Sequence, residues 1–219
     1  MTDGVAPSII GQGVYPIARA ATLIGTSQAK LRRWTRGTRK VEPLFGARYR
    51  VYDTSELSFA DLVEARVVNA LRKAGIPLQA IRHAMGLARD RFGQERPFAS
   101  SRFKTDGRDI FILVGEKAIY SLSHKNPAQR VFAEIVAPTL VDLEYEEGRA
   151  RRWRPEHHER VVLDPNRAFG RSVIDATGVP TETLVRAVDL HGVERTARYY
   201  EVPVADVRAA IAYEEALAA

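Results

Sequence analysis

Apolar positions over the first ninety residues recur at helical spacing, in short runs broken by glycine and proline. The run Pro16-Ile17-Ala18-Arg19-Ala20-Ala21-Thr22-Leu23 predicts a short amphipathic helix, with Pro16 admissible at its first turn and alanines that permit close packing. Gly25-Thr26-Ser27 supplies a turn, and Ser27 can cap a second helix because its hydroxyl can accept from a first-turn N–H. In Gln28-Ala29-Lys30-Leu31-Arg32-Arg33-Trp34, Leu31 and Trp34 form one apolar stripe that must be buried, while Gln28, Lys30, Arg32 and Arg33 take the other faces. Two short helices about a glycine-containing turn make a helix-turn-helix. An ordinary helical hairpin with solubilising arginines fits the same pattern.

Thr35 to Gly46 is a turn-rich loop containing Arg36, and Ala47-Arg48-Tyr49-Arg50-Val51-Tyr52 then alternates as a strand would. That strand is either a wing along a DNA backbone or a closing edge of the small domain. Asp53-Thr54-Ser55-Glu56 opens a long helix that Gly75-Ile76-Pro77 ends, and a further helix spans residues 78–91. Residues 98–125 are expected to be β-rich, with a hairpin of 110–114 and 118–122 about Gly115-Glu116-Lys117. Pro127 to Tyr145 is expected to be a helix that Pro138 breaks or kinks. This middle piece either pairs two subunits or holds the two ends in register. Gly148 to Pro155 is a basic linker, favoured as a solvated connector over a DNA contact. Residues 161–173 form an extended pair, followed by three short helices starting near Thr181, Val193 and Val204. The expected class is mainly α (α+β): a winged helix-turn-helix domain over 1–97, a hairpin, helix and linker over 98–155, and a trihelical, helix-turn-helix-like domain over 156–219.

Residues 1–14 are expected to form a mobile arm. Gly11-Gln12-Gly13 lacks the preceding strand and third glycine of a nucleotide-binding turn. Charge changes the picture more than composition does. Residues 1–110 hold 19 Lys and Arg against 10 Asp and Glu, a net of +9, and the remainder holds 14 against 17, a net of −3. Basic charge is densest from Lys30 to Arg50, where eight basic residues meet only Glu42, a cluster able to displace counterions from a phosphate backbone. The chain has no cysteine, which excludes disulfides, thiolate metal sites and a cysteine nucleophile. Neither a leader nor a membrane-spanning run is expected, so the predicted location is cytoplasmic. Adjacent His157 and His158 do not converge on one ion, and no catalytic constellation emerges, so no metal, cofactor or enzymatic activity is expected.

From Tyr15-Pro16-Ile17 through Gly25-Thr26-Ser27, Leu31-Arg32 and Arg48-Tyr49-Arg50-Val51-Tyr52 to the Leu71–Arg82 stretch, residues 14–92 resemble the winged helix-turn-helix domain of the MerR family of bacterial regulators. Effector-sensing members continue into a long dimerising helix and a ligand domain. Here the last helix stops before Pro97, so a metal or drug sensor is not expected. Residues 160–216 are similar to the antitoxin domain catalogued as domain of unknown function 433, through Asp164-Pro165, Phe169-Gly170, Gly178-Val179-Pro180-Thr181 and Asp206-Val207 with Ala210-Ile211. They depart from it at Ile174-Asp175-Ala176-Thr177, where a glycine-richer turn is usual.

Together the resemblances imply a DNA-binding antitoxin of the VapB kind. It would act as a homodimer on its own operator in double-stranded DNA and silence a PIN-type ribonuclease toxin. Ser27, Gln28, Lys30, Arg32 and Arg33 are the expected DNA contacts from the second helix and Arg36 from the loop after it, with Arg48, Tyr49 and Arg50 toward the backbone. The alternatives are a plain MerR-like regulator with a C-terminal dimerisation or second DNA-binding domain, and an interaction adaptor that does not touch DNA.

Overall fold

The computed structural model describes residues 9–49, 55–107 and 132–219. Helices α1 (Ile17–Leu23) and α2 (Gln28–Arg36) are joined by a turn in which Gly25 sits at φ 62, a left-handed value that favours glycine. Ser27 caps α2 as expected, its hydroxyl accepting from the Lys30 N–H at 3.3 Å. Leu31 and Trp34 are buried.

Helix α3 (Phe59–Lys73) begins later than the sequence predicts. Its cap is Ser58, which shares a complete capping box with Asp61. The box satisfies two first-turn donors at once, which an opening at Asp53 to Glu56 would have to forgo. Leu57 instead bridges Tyr15 through two backbone hydrogen bonds of 2.9 Å. Helix α4 (Leu78–Phe92) ends at Gly93 in the left-handed conformation.

The middle of the chain departs most from expectation. Residues 101–107, predicted as β, are helical, because Phe98, Phe103 and Phe132 form a ring cluster with centroids 4.4 and 5.9 Å apart. The predicted 110–122 hairpin lies outside the described residues. Of the predicted 127–145 helix, residues 127–131 lie outside the described residues, and the described part keeps helical form over Phe132–Val136, a π-helical turn, and Ala137–Thr139, a 3-10 turn containing Pro138. It then gives way to strand β1 (Leu143–Glu146).

The expected linker is strand β2 (Arg149–Trp153), which pairs antiparallel with β1 about a turn at Glu147 and Gly148. With β3 (Val161–Leu163) and β4 (Ser172–Ile174) they form a four-stranded antiparallel sheet in the order β1-β2-β3-β4. Trp153 of β2 lies opposite Leu163 of β3, so the sheet crosses the boundary expected at residue 155. The turn after β4 closes without extra glycines: the Ile174 carbonyl accepts from the Gly178 N–H at 2.7 Å, with Gly178 at φ 77. Helices α5 (Thr181–His191), α6 (Val193–Tyr199) and α7 (Val204–Ala218) start where the sequence predicts. The class is therefore mainly α with a small antiparallel sheet.

One apolar core runs from Leu31 and Leu62 through Leu143 and Ile174 to Leu184 and Val207. Polar ties reinforce it. Arg66 of α3 donates both guanidinium nitrogens to Asp142 at 2.7 and 2.9 Å, stacks 4.4 Å from the Trp153 ring centroid, and shares Asp142 with the indole N–H. Arg19 of α1 grips Glu214 of α7 at 3.0 and 2.9 Å. Of residues 1–14, expected as a mobile arm, 1–8 lie outside the described residues, and the end of the segment is docked: Gly13 is buried, and the Val14 N–H donates to the Phe169 carbonyl at 2.8 Å.

Candidate nucleic-acid interface

Helix α2 carries Lys30, Arg32, Arg33 and Arg36 and no acid. All four side chains are exposed, as are Ser27 and Gln28, while Leu31, Trp34 and Thr35 face inward. No carboxylate among the described residues pairs with any of the four cations. Arg32 makes only a 3.4 Å bond to Gln28 Oε1, one turn earlier. Arg33 and Arg36 fall in the last turn, where positive charge suits the carbonyl end of the helix dipole. The next loop adds exposed Arg39 and Lys40. The result is a rigid helix face of unneutralised positive charge, of the kind that exchanges bound counterions for phosphates.

Rigidity comes from residues that sequence reasoning did not single out. Asn69, buried on α3, donates to the Ile24 carbonyl at 2.6 Å and so fixes the turn between α1 and α2. Its signal was an amide within an otherwise apolar helical stripe. Arg82 of α4 donates to the Pro43 and Glu42 carbonyls at 2.8 and 2.9 Å, and Arg96 donates to the Gly46 carbonyl, holding the loop after α2. Arg96 also pairs with Asp61 at 2.5 Å. Burial alone would lower the Arg96 pKa, but Asp61 together with Glu64 and Glu95 outweighs it and leaves the guanidinium more firmly protonated than usual.

The expected backbone contacts fare differently. Residues 47–49 form no strand; Arg48 and Tyr49 lie in a tight helical turn, and Arg50 lies outside the described residues. Arg48 keeps its side chain exposed while its N–H donates to Asp61 at 2.9 Å. Tyr49 is a correction. Its ring is 2% exposed and its hydroxyl donates to the Gly13 carbonyl at 2.6 Å, so it fastens the docked N-terminal segment instead of facing a phosphate. A local alternation cannot reveal an acceptor 36 residues away.

The His157-His158 pair does not converge: His157 is exposed near Glu156, and the His158 ring packs edge-on to Tyr213 at 5.2 Å. No helix among the described residues is long and apolar enough to cross a membrane.

Residues 13–85, which run from the docked segment into α4, match the family profile described as "Putative DNA-binding HTH domain". The chain is 28% identical over 188 residues to "Putative antitoxin VapB45" of Mycobacterium tuberculosis (strain ATCC 25618 / H37Rv), a match spanning 76% of this chain and 78% of that protein. Its fold is similar to the X-ray crystal structure of Rv2018 from Mycobacterium tuberculosis, with a TM-score of 0.69 and 24% identity over 90% of this chain and 96% of that one.

Proposed function

We propose that this chain is a DNA-binding antitoxin of the VapB kind. It binds its own operator as a homodimer, with the exposed face of α2 in the major groove, and represses its own operon. Through its C-terminal half it holds and silences a PIN-type ribonuclease in the cytoplasm, and it performs no catalysis itself. The observation that carries the DNA part is the acid-free face of Lys30, Arg32, Arg33 and Arg36 on a helix whose turn is pinned by Asn69. The antitoxin part is supported by a likeness that spans three quarters of the chain and so reaches beyond the helix-turn-helix.

The test is to express the chain with its neighbouring gene, purify the pair, and assay ribonuclease before and after separating them. A small co-purifying protein that is active only once separated is the expected result. If the chain comes alone or with DNA only, the antitoxin reading fails and a plain regulator remains.

A further inference from the structure

We infer that the exposed face of α2 is divided: Ala29, Arg33 and Arg36 form a row that reads base edges, while Lys30 on one flank and Arg32 with Gln28 on the other hold the phosphate walls of the groove. This division, which rests on the DNA-binding reading, brings in Ala29, the one exposed apolar residue of the helix.

The buried side sets the directions. A helix turns about 100° per residue, so the inward residues Leu31, Trp34 and Thr35 define one direction toward the core. At that step Ala29, Arg33 and Arg36 all fall within about 35° of the opposite direction. Arg32 and Lys30 fall about 75° and about 85° from it, on opposite sides, and Gln28 lies beyond Arg32. A helix with its side chains is about 10–12 Å across and the major groove is about 12 Å wide, so a helix seated there nearly fills it. Side chains aimed outward then meet the groove floor, and those near a right angle to them meet the walls.

Chemistry agrees with placement. Ala29, at the centre of the face, is small enough to let the backbone approach the bases, and its methyl suits the C5 methyl of thymine. The Arg33 and Arg36 guanidiniums have no hydrogen-bond partner among the described residues, so each fork is free for the O6 and N7 acceptors of a guanine. Arg33 stands one turn from Ala29 and nearer the helix N-terminus, the end from which recognition helices reach base edges, so the guanine falls to Arg33. Arg32 is different. It already gives a donor to Gln28 Oε1 at 3.4 Å, which holds it along the flank as a cation for a phosphate. Lys30 offers a point charge without a fixed fork.

The experiment selects sites for the full-length protein from a pool of randomised duplexes, then compares the selected duplex with random duplex at one salt concentration. The wild type should enrich a site with a guanine beside a thymine. Arg33→Lys keeps the charge and loses the fork, so its preference for the selected duplex should shrink about tenfold, with the guanine no longer enriched. Arg32→Lys and Lys30→Arg should keep that preference within about twofold, because a phosphate accepts either cation. Replacing the thymine by deoxyuridine removes one methyl and should weaken the wild type about fourfold while leaving Ala29→Gly unchanged. The specificity ratio is the readout, since every cation brought into the groove releases counterions and changes the salt slope. If Arg33→Lys still enriches the guanine, or the wild type binds all duplexes alike, the division is overturned while DNA binding stands. Equal wild-type affinity for the thymine and deoxyuridine duplexes would strike Ala29 from the row. A wild type that binds no duplex would sink the DNA-binding reading itself.

Discussion

Two stretches of this chain are rich in arginine, and the structure puts them to opposite uses. Between Lys30 and Lys40, six cations project from α2 and the following loop with no carboxylate partner among the described residues. Between Arg149 and Arg154, three of four arginines are neutralised. Arg151 lies 3.7 Å from Glu146, Arg152 lies 3.0 Å from Asp164, and Arg154 lies 3.0 and 2.9 Å from Glu144 and Asp175. Basic density alone therefore says little. What decides is whether the fold brings acids to the arginines, and in β2 those acids come from β1, the end of β3 and the turn after β4.

The sharpest break of this comparison is Asp142→Ala. It leaves the Arg66 guanidinium and the Trp153 indole N–H without their acceptor in a mostly buried site. Removing one partner of a buried pair costs about 3–5 kcal/mol. Urea denaturation should show that loss, at its lower end because the site keeps some solvent, with operator affinity unchanged in the folded fraction.

Glu64 sharpens the contrast from the acid side, being an interior carboxyl with no cation of its own. Burial pushes its pKa from 4.5 up to about 8, against the opposing pull of Arg96 and the Phe98 N–H. The folded state thus holds a proton that the unfolded chain releases, so Glu64's contribution is fully present below pH 4.5 and is lost as pH rises through about 8. Stability measured across that window should fall by at most about 1.4 kcal/mol per pH unit, and Glu64→Gln should flatten the slope.

On the unpaired side, Arg32→Ala with Arg33→Ala should cost operator binding about ten- to a hundredfold at fixed salt and reduce the salt slope by about 1.8, with little change in folding. Arg151→Ala with Arg152→Ala is the matched control. It should lower stability, because Asp164, buried in the fold, loses the Arg152 guanidinium, and leave DNA affinity within about twofold, because both arginines already face carboxylates. Equal DNA effects in the two double variants would erase the distinction between the stretches.

The same contrast explains what was legible in the sequence. Helices α1, α2 and α4 and the trio α5–α7 were legible because their signals are local: Ser27 before a periodic run, Gly25 and Gly93 at the ends. The exposed cations of α2 were legible for that reason too. Strand β2 was not, because Arg149 to Trp153 makes sense as a strand only once distant acids are in place. Residues 101–107 were read as β only as part of the 98–125 stretch, and the Phe132 ring that packs on Phe103 lies outside it. The start of α3 was read at Asp53 to Glu56, whereas the reciprocal bonding of Ser58 with Asp61 sets it at Phe59. Tyr49 alternates with arginines and so passed for a wing residue, although its acceptor is on Gly13.

Ser27 belongs to both sides of the comparison, since it builds α2 and also stands on the exposed face. Its hydroxyl accepts from the Lys30 N–H at 3.3 Å, the long end of the useful range, so Ser27→Ala should cost about 0.5–1 kcal/mol, near the lower end for lost caps. That loss alone does not separate a cap from a DNA contact. Ser27→Asp does, because an aspartate caps as well as serine and its charge favours the helix N-terminus, so thermal stability should hold or rise slightly. The same charge on a face that meets phosphates should weaken operator binding severalfold, and more steeply at low salt where screening is least. A Ser27→Asp variant that binds the operator as tightly as the wild type would mean that the start of α2 points away from the nucleic acid. The groove contacts would then have to be sought among Arg33, Arg36 and the loop that follows.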